Sequence, residues 1–358
     1  MPTKIEWTNE TWNPIVGCSK ISAGCDNCYA QREARRQIAY KTPHYAGTIA
    51  DGHWTGKIGT APESTWTKPL RWKKPRRVFV CSMGDLFHEN VPFETIAAVF
   101  AVMAVCPDHT FQVLTKRADR MAEFFEWVKN VAWPDLFPHG LPDYPVESNA
   151  VLRYAPELHD DGDYCRFIGD FDPAPWPLPN VWLGVSAENQ ATADERIPLL
   201  CQTPAAVRFL SAEPMLGPVD LEIIDFGEKG WIRIRDVLLR GFAGSTLTNE
   251  TLDWVICGGE SGPGARPMHP DWARALRDQC QTAGVPFFFK QWGAWHPIYG
   301  SGRPRGDEET EIKPFAWVDP TGKTSASGTV PDALMLRVGK KRAGRILDGR
   351  TWDEYPER

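Results

Sequence analysis

This chain of 358 residues has no long hydrophobic segment. Its longest run without a polar or thiol side chain, Ile96–Val105, is ten residues, about half of what a helix needs to cross a bilayer. Met1–Glu10 contains no apolar core of the kind a secretory signal carries. A cytoplasmic location and no membrane partner are therefore expected. The chain also has no internal repeat and no heptad pattern. Positive charge is not in excess: 40 Lys and Arg stand against 46 Asp and Glu, a net charge of −6, which excludes the footprint of a general nucleic-acid binder. An even set of cysteines is missing too. Nine is an odd count in a chain this long, which argues against a secreted disulfide framework.

What is present is a series of short β-branched and aromatic runs that end in polar residues or glycine. They are Val78–Ser82, Thr110–Thr115, Val181–Ser186, Val207–Ser211, Trp254–Gly258 and Pro286–Lys290. Continuous apolar runs of this length suit strands buried on both faces, as in a parallel sheet. Helical patterns lie between them at Phe93–Val105, Ala118–Asn130, Asn189–Cys201 and Asp271–Ala283, the last stopped by Gly284. Alternation of this kind means βαβ units with right-handed crossovers. With a first strand near Ile15, the expected α/β fold is a partial or closed (β/α) barrel of six to seven parallel strands. A doubly wound open sheet is the alternative.

Three stretches interrupt the alternation and read as insertions: about 39–77, about 132–180, which is acidic and proline-rich, and about 220–253. The expected organisation is a barrel domain over 1–292 and a C-terminal extension over 293–358. Within the first insertion, Trp66–Arg77 reads WTKPLRWKKPRR, six basic residues with no acid. Cations hold phosphates and aromatic faces stack on bases, so this stretch makes DNA or RNA a candidate partner. A solvated loop with buried tryptophans explains it equally. The chain has sixteen tryptophans in all; many must serve packing, and some are expected to line a groove.

Six cysteines (Cys81, Cys106, Cys165, Cys201, Cys257, Cys280) are scattered singly and read as small buried hydrophobes. The other three, Cys18, Cys25 and Cys28, fall within eleven residues of the segment TWNPIVGCSKISAGCDNCYA, with spacing C-x6-C-x2-C. Thiolates select zinc, copper(I) or iron–sulfur clusters. Gly17 and Gly24 each precede one of these cysteines, where backbone must approach a bulky core. Structural zinc wants four ligands, and no fourth cysteine or histidine stands at a usual spacing; His44 is the nearest histidine. Three thiolates without a fourth ligand suit a [4Fe–4S] cluster with one open iron.

Three cysteines just after a first strand, ahead of repeated β/α units, resemble radical S-adenosylmethionine enzymes. More narrowly, TWNPIVGCSKISAGCDNCYA and SMGDLFH resemble the phage-associated three-cysteine-motif proteins, largely a domain of unknown function. The likeness runs through about Gly293. Two points depart from the broader pattern. The first gap is six residues where three is common, and the aromatic residue follows the last cysteine as Tyr29, with Asn27 preceding it.

The resemblance implies a [4Fe–4S] cluster, S-adenosyl-L-methionine as cofactor, an external electron donor and 5′-deoxyadenosyl radical chemistry. It also implies a three-Cys-motif partner protein and makes a nucleic-acid substrate reasonable. Ligands of parallel sheets bind at the strands' carboxyl ends, and those ends are polar here. By topology, Gly84 and Asp85 would meet the cofactor amino group. Lys116 or Arg117 would meet its carboxylate, and Ser186 and Asn189 its ribose. Glu213, Gly258 and Glu260 complete the ring of candidate contacts. Plainer roles stand beside these: Ser211 and Glu213 as caps, Gly258–Gly259 as a tight turn, Lys116 and Arg117 on a solvated helix start. Two further alternatives remain for the whole chain, a zinc-stabilised nucleic-acid-binding module and a non-catalytic iron–sulfur scaffold or redox subunit.

Overall fold

The computed structural model describes residues 3, 5–131, 175–225, 231–233, 251–298, 314–328 and 332–357. Seven strands form one parallel sheet: β1 Glu10–Trp12, β2 Arg77–Val80, β3 Thr110–Thr115, β4 Val181–Ser186, β5 Val207–Ala212, β6 Trp254–Gly258 and β7 Phe287–Gln291. They hydrogen-bond in the order in which they occur along the chain. A doubly wound sheet needs a point where the order reverses, and this one has none. β1 and β7 stand at opposite ends of the order, so the barrel is partial, not closed.

Six of the seven strands are the apolar runs read from sequence. The first differs. Ile15–Val16 pairs antiparallel with Gly59–Thr60, and the sheet strand is Glu10–Trp12, in register with Val78–Val80. Pro14 cannot donate to a ladder, so pairing stops before it. Glu10–Trp12 holds one large apolar residue, Trp12, which is fully buried and donates its indole N–H to Thr65 O.

By internal packing the chain divides into two units. The first is Met1–Ile21, Ala30–Val185 and Leu199–Arg208. It carries β1 to β3, β4 to Val185, and helices α2 Phe93–Ala104 and α3 Ala118–Val131, together with α1 (Tyr29–Ala39) from Ala30 on. α2 is apolar all round and buried from Ile96 through Ala104, as a helix without a polar face must be.

The second unit is Ser22–Tyr29, Ser186–Pro198 and Phe209–Arg358. It carries β5 from Phe209, β6, β7, most of α4 (Gln190–Gln202) and α5 Pro270–Ala283. His269 caps α5 by accepting from Asp271 N, Pro270 opens it, and Gly284 closes it at φ +69°. Residues 293–358 belong to this unit. β8 Trp295–Pro297, β9 Phe315–Val318 and β10 Ala333–Arg337 form an antiparallel sheet there, with Thr324–Ser325 at its edge. The last residues run along β7: Phe289 N donates to Trp352 O, and Trp254 gives its indole N–H to Glu354 O.

Of the expected insertion at 132–180, residues 132–174 lie outside the described residues, as does Cys165. The stretch at 220–253 contains a short antiparallel pair, Ile223–Asp225 with Trp231–Arg233; residues 226–230 and 234–250 are outside the described residues. Among the described residues no helix is long and apolar enough to cross a membrane.

Candidate metal centre

The cysteines fall into two populations. Cys18, Cys25 and Cys28 are half-buried, and Cys81, Cys106, Cys201, Cys257 and Cys280 are buried; all eight are free thiols. Burial pushes the Cys106 thiol up to about 12 and raises Cys81, Cys257 and Cys280 as well. A buried thiol that resists ionising is a poor metal ligand. Among the described cysteines, the three of the motif are the reachable ones. Among the described residues no three His, Cys, Asp or Glu side chains group tightly enough for a single metal ion.

Cys18 is held within the first unit. Gly17, at φ +101°, approaches Lys57 so closely that a side chain would meet its carbonyl, and Gly17 N donates to Met83 O. Beyond Cys18, Arg117 is buried and spends all five of its N–H donors. Nε meets Glu89 at 2.9 Å, Nη1 meets Asp85 at 3.0 Å and Cys18 Sγ at 3.7 Å, and Nη2 meets Ser19 O and Ser19 Oγ at 3.2 and 2.7 Å. Asp85 accepts four bonds, from Phe87 N, Thr115 Oγ1, Lys116 N and Arg117. The motif SMGDLFH thus folds into a bracket under Cys18–Ser19.

His88 completes that bracket. Its Nδ1 accepts from Asn90 N at 3.1 Å, so in the neutral ring Nε2 carries the proton and faces Ser19 Oγ at 2.9 Å. A serine nucleophile needs the opposite arrangement, an unprotonated nitrogen to take its proton. The Ser19–His88 pair is therefore a support and not a hydrolytic centre.

Cys25 and Cys28 are held within the second unit by two buried carboxylates. Glu188 accepts from Ser22 Oγ at 2.7 Å and from Arg196 at 3.3 Å, and it fills the space a side chain on Gly24 would need. Glu260 accepts from Asn27 Nδ2 at 3.0 Å, from Arg266 N at 2.8 Å, and from the Arg266 side chain at 2.9 and 2.7 Å. Arg266 also reaches Asp26 and Ala23 O, and Asn27 reaches Gly264 O. Both residues between Cys25 and Cys28 are thereby tied to the loop after β6.

The residues expected to meet a cofactor are placed as follows. Gly84 packs against the backbone of Gly17, where a side chain would come within 2.8 Å of Gly17 O. Asp85 is taken up by its four donors, and Lys116 contributes its backbone N–H to it. Ser186 donates to Glu213 O at 3.3 Å, Glu213 pairs with Lys290 at 2.9 Å, and Gly258 leaves room for Glu213. These three gather at the ends of β4, β5 and β6. Asn189 caps α4, accepting from Thr192 N at 3.1 Å. Glu260 belongs to the Cys25–Cys28 loop. Ser19, His88, Arg196 and Arg266 carry no signal of their own in the sequence; Ser19 lies inside the cysteine motif and His88 inside SMGDLFH, while Arg196 and Arg266 lie in neither.

Most of the described tryptophans pack. In the basic stretch, Trp66 is buried, and Trp72 stands 5.3 Å from His109 with Lys68 and Arg76 over its ring. Both of those cations also pair with Glu10. Lys73 and Lys74 are exposed. Elsewhere Trp272, Trp292 and Trp295 are buried and donate to backbone carbonyls, as an interior indole requires.

The motif thus has three half-buried thiols, Cys18 with a guanidinium beside it in the first unit, and Cys25 and Cys28 in a loop tied to two buried carboxylates in the second. Thiols of this kind, once ionised, are soft ligands. No curated protein and no solved structure matches the chain. One family model does, over residues 2–356, and on that match the chain belongs to the family described as protein of unknown function DUF5131.

Proposed function

We propose that the chain is a radical S-adenosylmethionine enzyme in which Cys18, Cys25 and Cys28 hold a [4Fe–4S] cluster. The observation that carries this reading is the division of the cysteines, with three reachable thiols in one short loop and five buried ones elsewhere among the described residues. Three thiolates leave one iron of a cubane open to a small chelating ligand. Bound there, the cluster would pass one electron from an external donor to S-adenosylmethionine, whose C5′–S bond would break to give methionine and a 5′-deoxyadenosyl radical. The chain's own part is to hold the thiolates: Arg117 and Asp85 at Cys18, Glu188 at Ser22, and Glu260 with Arg266 at Asp26 and Asn27. The polar group Ser186, Glu213 and Lys290 at the strands' carboxyl ends suits the polar parts of a cofactor or substrate. DNA or RNA, contacted through Lys73 and Lys74, and a three-Cys-motif partner protein belong to the same proposal.

The test is anaerobic purification and reconstitution, assay of iron and sulfide, and chromatography for 5′-deoxyadenosine after dithionite. About four irons per chain are expected. Changing Cys18, Cys25 or Cys28 to Ala removes them, whereas Cys106→Ala leaves them. A colourless protein with stoichiometric zinc replaces this reading with a zinc-stabilised module. A brown protein that never cleaves the cofactor leaves a scaffold or redox subunit.

A further inference from the structure

We propose that Arg117 positions Cys18 and raises the reduction potential of the cluster bound there, an inference that rests on the cluster reading above. Arg117 carries a buried positive charge with a 3.7 Å hydrogen bond to Cys18 Sγ. Its orientation is not free to change. Asp85 holds Nη1, Glu89 holds Nε and Ser19 holds Nη2, so the remaining N–H of Nη1 is directed at the sulfur. Asp85 is itself fixed by Phe87 N, Lys116 N and Thr115 Oγ1. With all five donors spent, Arg117 has none left for a cofactor carboxylate.

Hydrogen bonds and positive charge at a cluster sulfur favour the reduced state, which carries one more negative charge. Lysine cannot replace this group. It would keep the charge, but its three donors on one nitrogen cannot serve Asp85, Glu89, Ser19 and Cys18 at once.

The test compares wild type, Arg117→Lys and Arg117→Met after anaerobic reconstitution. Iron per chain is measured, and the midpoint potential is read from the paramagnetic signal of the reduced cluster. Both variants should shift to lower potential, Met further than Lys. Arg120→Met removes the same charge three residues away, where Arg120 pairs with Glu123, and should leave the potential unmoved. Arg117→Met leaves Asp85 without its charged partner. If circular dichroism shows that variant unfolded, the Lys variant decides alone. Folded, iron-loaded Arg117 variants at the wild-type potential overturn the inference and leave the cluster reading standing. An equal shift in Arg120→Met also overturns it. Wild type without iron overturns both.

Discussion

Ser22 Oγ donates to Glu188 Oε1 across 2.7 Å, which ties the residue three before Cys25 to a carboxylate buried just past the end of β4. Arg196, equally buried, neutralises that carboxylate from α4. Glu188→Ala strips the charge partner from a buried arginine and should cost about 3–5 kcal/mol in denaturant unfolding. Gly24→Ala drives a methyl group into Glu188 and should cost about 1–3 kcal/mol, with a matching fall in iron per chain. If Gly24→Ala equals wild type in both readouts, Glu188 does not constrain the loop.

Arg266 ties Glu260 to Asp26 and Ala23 O. Arg266→Ala leaves Glu260 buried with two of its four donors, which should lower stability by about 1–3 kcal/mol. It should also slow or reduce iron uptake. Arg266→Lys should recover part of the loading, because it restores the charge without the fork. Unchanged loading in Arg266→Ala would show that Asn27 alone suffices.

His88 is buried, and its pKa is lowered, first by burial and then by the positive charge of Arg117. A folded-state value below the unfolded one, near 6.5, means that the unfolded chain takes up the proton first. The stabilisation is present above about pH 6.5 and is lost as the pH falls from there through the folded value. His88→Gln should flatten that part of the stability curve. An identical slope in wild type and variant, measured by urea unfolding at a series of pH values, would assign the pH dependence to other groups.

β7 is an edge strand, and the C-terminal residues cover it. Phe289 N reaches Trp352 O, Glu354 N reaches Phe287 O, and Tyr355 packs on Trp254 and Phe288. Deleting residues 344–358 uncovers both the edge and the apolar rings. Concentration-dependent self-association in size-exclusion chromatography is expected, since a bare apolar edge recruits another strand. A deletion that stays monomeric would mean that the edge is protected in another way.

The basic stretch should bind nucleic acid weakly. Lys68 and Arg76 are paired with Glu10 and sit over Trp72, Arg71 is bonded to Thr67 and Ser64 O, and Arg77 is only partly exposed; the exposed Lys73 and Lys74 are the expected phosphate contacts. Lys73→Ala with Lys74→Ala should reduce the salt slope of binding by about 0.7–0.9 per lost contact. No binding of wild type to single- or double-stranded nucleic acid at low salt would remove that partner.

The architecture was legible because β2 to β7 are largely buried and built mainly of apolar residues, with few polar positions to break the runs. β1 escaped notice because one tryptophan in three residues leaves no pattern. The cysteine loop was legible from its spacing, but its supports were not. Glu188 lies 166 residues from Ser22, and Glu260 lies 233 residues from Asn27, so no local rule joins them. Asp85 and Glu260 stood out as charged residues at strand ends, where a ligand or an internal partner explains a carboxylate equally well. Only the donors that surround them distinguish the two.

Those donors carry a consequence for how the carboxylates can be replaced. Asp85 and Glu260 each face four inward-pointing N–H or O–H groups. Asparagine and glutamine copy their outline but reverse the polarity of one terminal atom, turning an acceptor into a donor that points at donors. At these two positions the amide is a mismatch of sign and not a neutral copy, and shape alone would misjudge which substitution is mild.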